Sequence, residues 1–172
     1  MVKVLFTHSY FLKFDPKEFK AMMPYSPLGT LYAAAYLQTK GYTPTFFDAM
    51  LADSEQEIVP HLEKEKPDVV IIYDDDFNYL TKMCLSRMRS AAFEMSRIAK
   101  QYGCTVVVHG SDAADHVDEY IEHGADYIIV GEGEQSLGEL MEYLENPSNK
   151  NIDSIPGLSY RQDGITKQNS KR

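Results

Sequence analysis

The sequence contains few cysteines and no long apolar run, and each absence excludes a class of protein. Its two cysteines, Cys84 and Cys104, form no CxxC pair and no metal-ligand spacing, so nothing predicts a disulfide framework. No apolar stretch reaches the roughly 20 residues of a membrane-spanning helix. The apolar part of the N-terminal MVKVLFTHSY is too short for a secretory signal. We therefore expect a cytoplasmic protein.

Positive charge is also scarce. The chain has 17 lysines and arginines against 26 aspartates and glutamates, which gives a net charge of -9, and the basic residues cluster only at the C-terminus. Bulk electrostatic attraction to phosphate backbones is therefore weak, and we expect no direct nucleic-acid binding. The length of 172 residues suits one domain with a tail.

Short apolar runs alternate with helical patterns along the chain. We predict five strands, at residues 2–7, 43–48, 67–73, 104–110 and 126–131, and five helices, at 28–40, 54–65, 78–102, 113–123 and 135–144. Residues 8–25 read as a loop, and Pro60 disturbs the second helix. This alternation predicts an α/β fold with a doubly wound five-stranded parallel sheet, Rossmann/flavodoxin-like, in the order 2-1-3-4-5. Residues 1–146 form this domain, and 147–172 form a linker and a small hairpin that turns at Asp163-Gly164.

The segment IIYDDDFNYL places three aspartates directly after the third strand, where carboxylates would repel one another. In a doubly wound sheet the carboxyl ends of the strands hold the ligand. The other strands end in Thr7-His8-Ser9, in His109-Gly110-Ser111-Asp112 and in Gly131-Glu132-Gly133-Glu134. We therefore expect the acidic residues and a histidine to meet at one edge.

Several interpretations of these acids remain open. Asp76, Asn78, Ser111 or Asp112 can cap helices. A metal site would use Asp74, Asp75, His109, Asp112 and His116, but adjacent aspartates on an extended segment point to opposite sides. A response-regulator receiver needs acids after strand one and a lysine after strand five, and this sequence has neither. No glycine-rich dinucleotide motif follows strand one, and no nucleophile with a base is visible, so we expect a binding domain.

Four segments, PYSPLGTLYAAAYLQTKGYTPTFFDA, EKPDVVIIY, VVVHG and DYIIVGEGEQSLGELMEYL, together resemble the N-terminal cobalamin-binding-like domain of B12-dependent radical SAM enzymes. The final IPGLSYRQDGITKQN is similar to the hairpin that leads from this domain to the radical SAM barrel. The resemblance covers essentially the whole chain. GEGE before a leucine-rich helix and the PxLG helix start are its most specific parts.

The resemblance implies a corrinoid cofactor, cobalamin, held against the carboxyl ends of the strands. The positions that it implies for cofactor binding are Ser26, Leu28, Gly29, Tyr73, Asp74, Asp75, His109, Gly110, Ser111, Gly131, Glu132 and Gly133. A following barrel would bind a 4Fe-4S cluster and S-adenosylmethionine and perform methyl transfer or related radical chemistry. This chain contains no CxxxCxxC motif, so we do not expect it to be an enzyme by itself.

The sequence departs from the pattern of the methionine-synthase type, D-x-H-x-x-G, where the histidine ligates cobalt. Pro24 and Ser26 stand at the aspartate and histidine positions, and a hydroxyl is a poor cobalt ligand. The usual S-x-L after strand three is Tyr73-Asp74-Asp75, and the usual glycine pair after strand four is His109-Gly110. Both changes narrow the slot for the nucleotide tail. His109 is expected to pair with a carboxylate or to ligate cobalt.

Three functions are therefore open to test. The first is a cobalamin-binding domain of a radical SAM enzyme. The second is a corrinoid-free interaction or scaffold domain that has lost the B12 slot. The third is a small metal- or phosphate-responsive receiver built on residues 74–76.

Overall fold

A computed structural model describes residues 2–74 and 84–172 of the chain. In these residues the strands form one seven-stranded sheet in the order β2-β1-β3-β4-β5-β6-β7. The first five in this order are parallel, whereas β6 is antiparallel to β5 and β7 is antiparallel to β6. The strands are β1 (Val4–Thr7), β2 (Thr45–Phe46), β3 (Val69–Tyr73), β4 (Thr105–His109), β5 (Tyr127–Ile129), β6 (Leu158–Gln162) and β7 (Ile165–Gln168).

Helices connect the parallel strands. The described α-helices are α1 (Pro16–Ala21), α2 (Leu28–Thr39), α3 (Val59–Glu65), α4 (Leu85–Gln101), α5 (Ser111–Asp115), α6 (Val117–Glu122) and α7 (Gly133–Glu145). Short 3-10 turns lie at Leu12–Phe14, Glu55–Ile58 and Ile152–Ser154.

The core packs on both faces of the sheet, because successive side chains of a strand point to opposite faces. Along β3, Val69, Ile71 and Tyr73 pack with α2 and α7, through residues such as Ala33 and Leu137. The alternate residues of the same strand, Val70 and Ile72, pack on the other face with α3, α4 and α6, through Leu62, Met95 and Tyr120. Since β3 is buried on both faces, its continuous apolar sequence is explained.

The predicted α/β class and the order 2-1-3-4-5 are confirmed. The C-terminal hairpin adds to this sheet, because β6 pairs with β5 through the register Ile128 with Ser159. The hairpin turns at the predicted residues, and both Asp163 and Gly164 have positive φ, of 52° and 77°. This geometry matches the right-handed twist of a tight hairpin.

Three local predictions were incomplete. Residues 8–25 contain α1, whose start is capped by Asp15 with Pro16 in the first turn. The predicted helix 54–65 is a 3-10 turn followed by α3, with Pro60 in the first turn of α3, where its missing N–H is tolerated. The predicted helix 113–123 is two short helices that meet at His116. The predicted start of the long helix at Asn78 lies outside the described residues.

Candidate functional site

A cleft lies at the carboxyl ends of β3, β4 and β5. Its volume is about 490 Å³, within the range of small-molecule sites. It is lined by Gly29, Tyr73, Asp74, His109, Gly110, Ser111, Ala114, Val130, Gly131, Glu132, Gly133, Glu134 and Lys171. The switch in strand order, between β1 and β3, is next to it, as expected for a doubly wound sheet.

Asp74, the first of the three aspartates, joins the ends of two neighbouring strands. The backbone N–H of Ser9 donates to Oδ1 of Asp74 at 2.7 Å, and the Ser9 hydroxyl donates to Oδ2 at 2.8 Å. The Asp74 N–H donates to the carbonyl of His109 at 2.9 Å. Asp74 is 8% exposed, so its negative charge is stabilised by these hydrogen bonds after β1. Asp74 therefore fixes the shape of the cleft wall.

Tyr73 and His109 form a ring pair beside Asp74. They are the last residues of β3 and β4 and are paired in register, and their ring centroids are 4.1 Å apart. Nδ1 of His109 is 3.0 Å from the carbonyl oxygen of Ile129, and the hydroxyl of Thr30 donates to the carbonyl of Tyr73 at 2.6 Å. The sequence predicts that His109 pairs with one carboxylate of the aspartate run, and two of its three aspartates, Asp75 and Asp76, lie outside the described residues.

Glycines are among the residues that line the cleft, and they place no side chain in it. Gly110 has φ of 151°, and a Cβ there would lie 3.1 Å from the Cβ of Asp74. Gly131 has φ of 86°, in the left-handed region that side chains disfavour. Gly131 is exposed and lets a ligand approach the backbone after β5, whereas Gly110 is buried against Asp74 after β4.

A histidine–aspartate pair lies at the same edge, at the ends of β1 and β2. Nε2 of the buried His8 is 2.8 Å from Oδ1 of Asp48, which also accepts from the Met50 N–H at 2.9 Å. Burial alone would raise the pKa of Asp48, but the hydrogen bonds from His8 and Met50 outweigh it and lower the pKa below its ordinary value. The sequence indicates His8 only as part of the end of β1.

Asp112 is held by protein groups. Nε and Nη2 of Arg89 donate to its two carboxylate oxygens at 2.8 and 2.7 Å, and the Tyr120 hydroxyl donates at 2.9 Å. Burial opposes ionisation, but the hydrogen bonds of Arg89 and Tyr120 lower the pKa of Asp112 below its ordinary value. In α5 the capping position belongs to Gly110, so neither Ser111 nor Asp112 caps it.

Metal coordination by the predicted set finds no support in the part of the chain that the structure describes. No three His, Cys, Asp or Glu side chains of residues 2–74 and 84–172 form a group that could hold a metal ion. Asp74 is bound to Ser9 and Asp112 is bound to Arg89. Asp75, the remaining aspartate of that set, lies outside the described residues.

The thiol of Cys84 lies away from the cleft and donates to Oδ2 of Asp15 at 3.2 Å. Burial and this carboxylate raise the pKa of Cys84 to about 11. A thiol with this pKa stays protonated near neutral pH and is a weak nucleophile.

The structure brings together nine of the twelve predicted site residues in the cleft: Gly29, Tyr73, Asp74, His109, Gly110, Ser111, Gly131, Glu132 and Gly133. Ser26 and Leu28 are exposed and are not among the residues that line it. Asp75 lies outside the described residues.

Sequence reasoning did not single out Ala114, Val130 or Lys171, which also line the cleft. Lys171 reaches it because β6 and β7 add to the edge of the sheet beside β5. Ala114 and Val130 are close in sequence to predicted residues, and their place after β4 and at the end of β5 was the available signal.

The order of the strands and the helices between them define a class of α/β domain, and solved structures share this fold. The cobalamin-dependent S-adenosylmethionine radical enzyme OxsB, with aqua-cobalamin and S-adenosylmethionine bound, matches 100% of this chain with a TM-score of 0.73 and 17% identity. The radical S-adenosylmethionine methyltransferase TsrM from Kitasatospora setae, with cobalamin and a [4Fe-4S] cluster bound, matches 98% with a TM-score of 0.71 and 18% identity.

This chain spans 22% of the OxsB chain and 29% of that TsrM chain. No protein-family model and no curated protein sequence matches the chain. At these identities the likeness shows the fold, which the chain shares with part of the OxsB chain and part of the TsrM chain. Among residues 2–74 and 84–172, no helix is both long and apolar enough to cross a membrane.

Proposed function

We propose that this chain is a cobalamin-binding-like domain that serves a radical SAM enzyme. The observation that carries the proposal is the structural likeness of almost the whole of this chain to parts of OxsB and TsrM, whose structures hold cobalamin. It is supported by the cleft, which lies where ligands bind in doubly wound sheets.

The mouth of the cleft suits the flat face of a corrin ring. Gly131 leaves the backbone after β5 accessible, and the exposed polar side chains of Ser111 and Glu132 at the rim can hydrogen-bond to corrin amides. When bound, cobalamin would supply a cobalt centre able to carry a methyl group, and the role of this chain would be to hold and orient it.

The 4Fe-4S cluster and S-adenosylmethionine would belong to a partner, the radical SAM barrel.

The composition of the outer face of α2 is consistent with such a partner. No charged residue occurs between residues 22 and 39, in a chain with 25% charged residues. Leu28, Leu31 and Tyr32 are exposed on α2, at 50%, 40% and 62%. A helix that is apolar on all sides is normally covered, and a barrel docked above the cleft would cover it.

The proposal of a radical SAM partner is tested by sequencing the gene beyond the codon for residue 172. We expect a CxxxCxxC motif, the cluster-binding signature, within a following domain. A parent without one would contradict the radical SAM assignment, even if the domain binds a corrinoid.

Corrinoid binding itself is tested by titrating the purified chain with hydroxocobalamin, followed by visible absorbance and calorimetry. We expect saturable binding with a changed cobalamin spectrum. Ser111→Trp would place a bulky ring at the cleft mouth, and we expect affinity to fall at least tenfold. Asp115→Trp is the matched control, since Asp115 is exposed on the same short helix and does not line the cleft.

Absence of binding by the unmodified chain would contradict the cobalamin function. Equal binding by Ser111→Trp and Asp115→Trp would place the ligand elsewhere.

The second candidate function is a corrinoid-free interaction domain. It is favoured by one observation, the burial of Tyr73 and His109 at the place where the sequence pattern has small residues. A lack of corrinoid binding, together with a downstream domain in the parent, would support it.

A further inference from the structure

Cobalamin has two parts with different spatial requirements. The corrin ring is flat and can lie on an open edge. The nucleotide tail is a bulky appendage on a tether, and it can be buried only where a slot exists between the sheet and the adjacent helices. The fit of the ring and the fit of the tail can therefore be tested separately against this structure.

The space between the sheet and the helices α2 and α7 is filled by the Tyr73–His109 ring pair. Tyr73 is 3% exposed and His109 is 6% exposed. Both rings reach the start of α7, because a Cβ at Gly133 would lie 2.5 Å from Oη of Tyr73 and 3.1 Å from Cε1 of His109. A gap that cannot accept one methyl group at this point cannot accept a nucleotide base.

The two helices that enclose this space are themselves in close contact. A Cβ at Gly138 of α7 would lie 2.9 Å from Cε1 of Tyr36 on α2. Leu137 and Leu140 of α7 are fully buried in the same core as Tyr73. Such interiors are close-packed, so a slot cannot open by small side-chain adjustments.

Hydrogen-bond contacts hold the backbone of Tyr73 and the ring of His109. The Thr30 hydroxyl of α2 donates to the Tyr73 carbonyl, and His109 Nδ1 lies within hydrogen-bond distance of the Ile129 carbonyl of β5. Because the rings reach Gly133 at the start of α7, a nucleotide would have to displace them in order to enter between α2 and α7. The structure thus accommodates a ring on the edge of the sheet and excludes a tail within it.

We infer that the cleft binds the corrin ring with its nucleotide outside the fold, an inference that rests on the proposed corrinoid function. The site then takes corrinoids irrespective of the nucleotide. Tyr73 and His109 are the residues that determine this specificity. The chemical class of ligand includes tail-less corrinoids as well as complete cobalamin.

The test compares two probes on the unmodified chain, hydroxocobalamin and diaquocobinamide, which lacks the nucleotide. Dissociation constants are measured by calorimetry and visible absorbance. We expect the dissociation constants of cobinamide and cobalamin to agree within about threefold. A preference for cobalamin of tenfold or more would overturn the inference, because it would show that the tail is held by the protein. Binding of neither probe would overturn the proposed function and the inference with it.

Variants of Tyr73 and His109 test whether these two residues set the preference between cobalamin and cobinamide. The double variant Tyr73→Ser/His109→Gly removes the rings, and we expect it to gain at least tenfold preference for cobalamin over cobinamide. Tyr73→Phe keeps both rings and should retain the preference of the unmodified chain. If the double variant fails to fold, as judged by circular dichroism, the ratio in the unmodified chain and in Tyr73→Phe still decides the inference.

Discussion

Ser9 and Asp74 are 65 residues apart in sequence and are joined by two hydrogen bonds, at 2.7 and 2.8 Å, between the ends of β1 and β3. These bonds account for the first aspartate of IIYDDDFNYL as a structural residue of the cleft wall. A carboxylate with this burial is stable only with such donors.

Replacement of Ser9 by alanine removes the hydroxyl donor and leaves the backbone donor. We expect the free energy of unfolding to fall by about 1.5–3 kcal/mol, the usual worth of a hydrogen bond to a charged group. Urea unfolding followed by circular dichroism measures it. Ser54→Ala is the matched control, since the Ser54 side chain caps no N–H of its 3-10 turn. Equal stability of the two variants would show that the Ser9 hydroxyl does not support Asp74.

The ionisation of Asp112 is expected to make the free energy of unfolding depend on pH. Burial opposes its ionisation, but the hydrogen bonds of Arg89 and Tyr120 lower its folded pKa. The stabilisation is therefore complete above the ordinary aspartate pKa of about 3.9 and is lost as the pH falls through the lower folded pKa. Asp112→Asn should lower the free energy of unfolding at pH 7 by about 1.5–3 kcal/mol. The difference from the unmodified protein should shrink as the pH approaches 3.

The control for this variant is Asp115→Asn, which makes the same change of charge at an exposed position of the same helix. Its effect should stay within about 0.5 kcal/mol at pH 7, as for most surface substitutions. A stability difference for Asp112→Asn that does not depend on pH would contradict an ionic role.

Gly133 tests the closeness of α7 to the ring pair. We expect Gly133→Ala to reduce the free energy of unfolding by about 1–3 kcal/mol, because an added methyl group overpacks the contact. In a Tyr73→Phe background the nearest atom, Oη, is absent, so the same substitution should cost less. A double-mutant cycle measures this coupling, and strictly additive effects would indicate that the contact is not formed.

Cys84 should react slowly with alkylating reagents. With a pKa of about 11, its thiolate fraction at pH 8 is roughly two orders of magnitude below that of a free thiol with pKa near 8.5. Iodoacetamide kinetics in a Cys104→Ser background should show a rate that still rises between pH 9 and 11. Asp15→Asn removes the charge beside the thiol and should speed the reaction at pH 8. A plateau near pH 8.5 in the Cys104→Ser protein would contradict the raised pKa of Cys84, and an unchanged rate in Asp15→Asn would contradict the contribution of Asp15.

The sequence was sufficient for the five parallel strands of the sheet, because apolar runs and helix stops are local signals. Nine of the residues predicted for the site line one cleft, since the carboxyl ends of parallel strands share one edge. The hairpin's position beside β5 was not predictable, because the pairing of Ile129 with Leu158 is a long-range contact. The Arg89–Asp112 bond was missed for the same reason, since 23 residues separate the partners. By contrast, Asp15-Pro16 carried a local helix-start signal for α1 that the mixed composition of residues 8–25 obscured.

The antiparallel pairing of β6 with β5 also bears on association between molecules. Without the hairpin, β5 would be an edge strand whose buried apolar residues, Ile128 and Ile129, adjoin a row of unpaired backbone groups. Such an edge is a template for strands of other chains. Removal of residues 155–172 is therefore expected to convert this protein into a species that aggregates through β5.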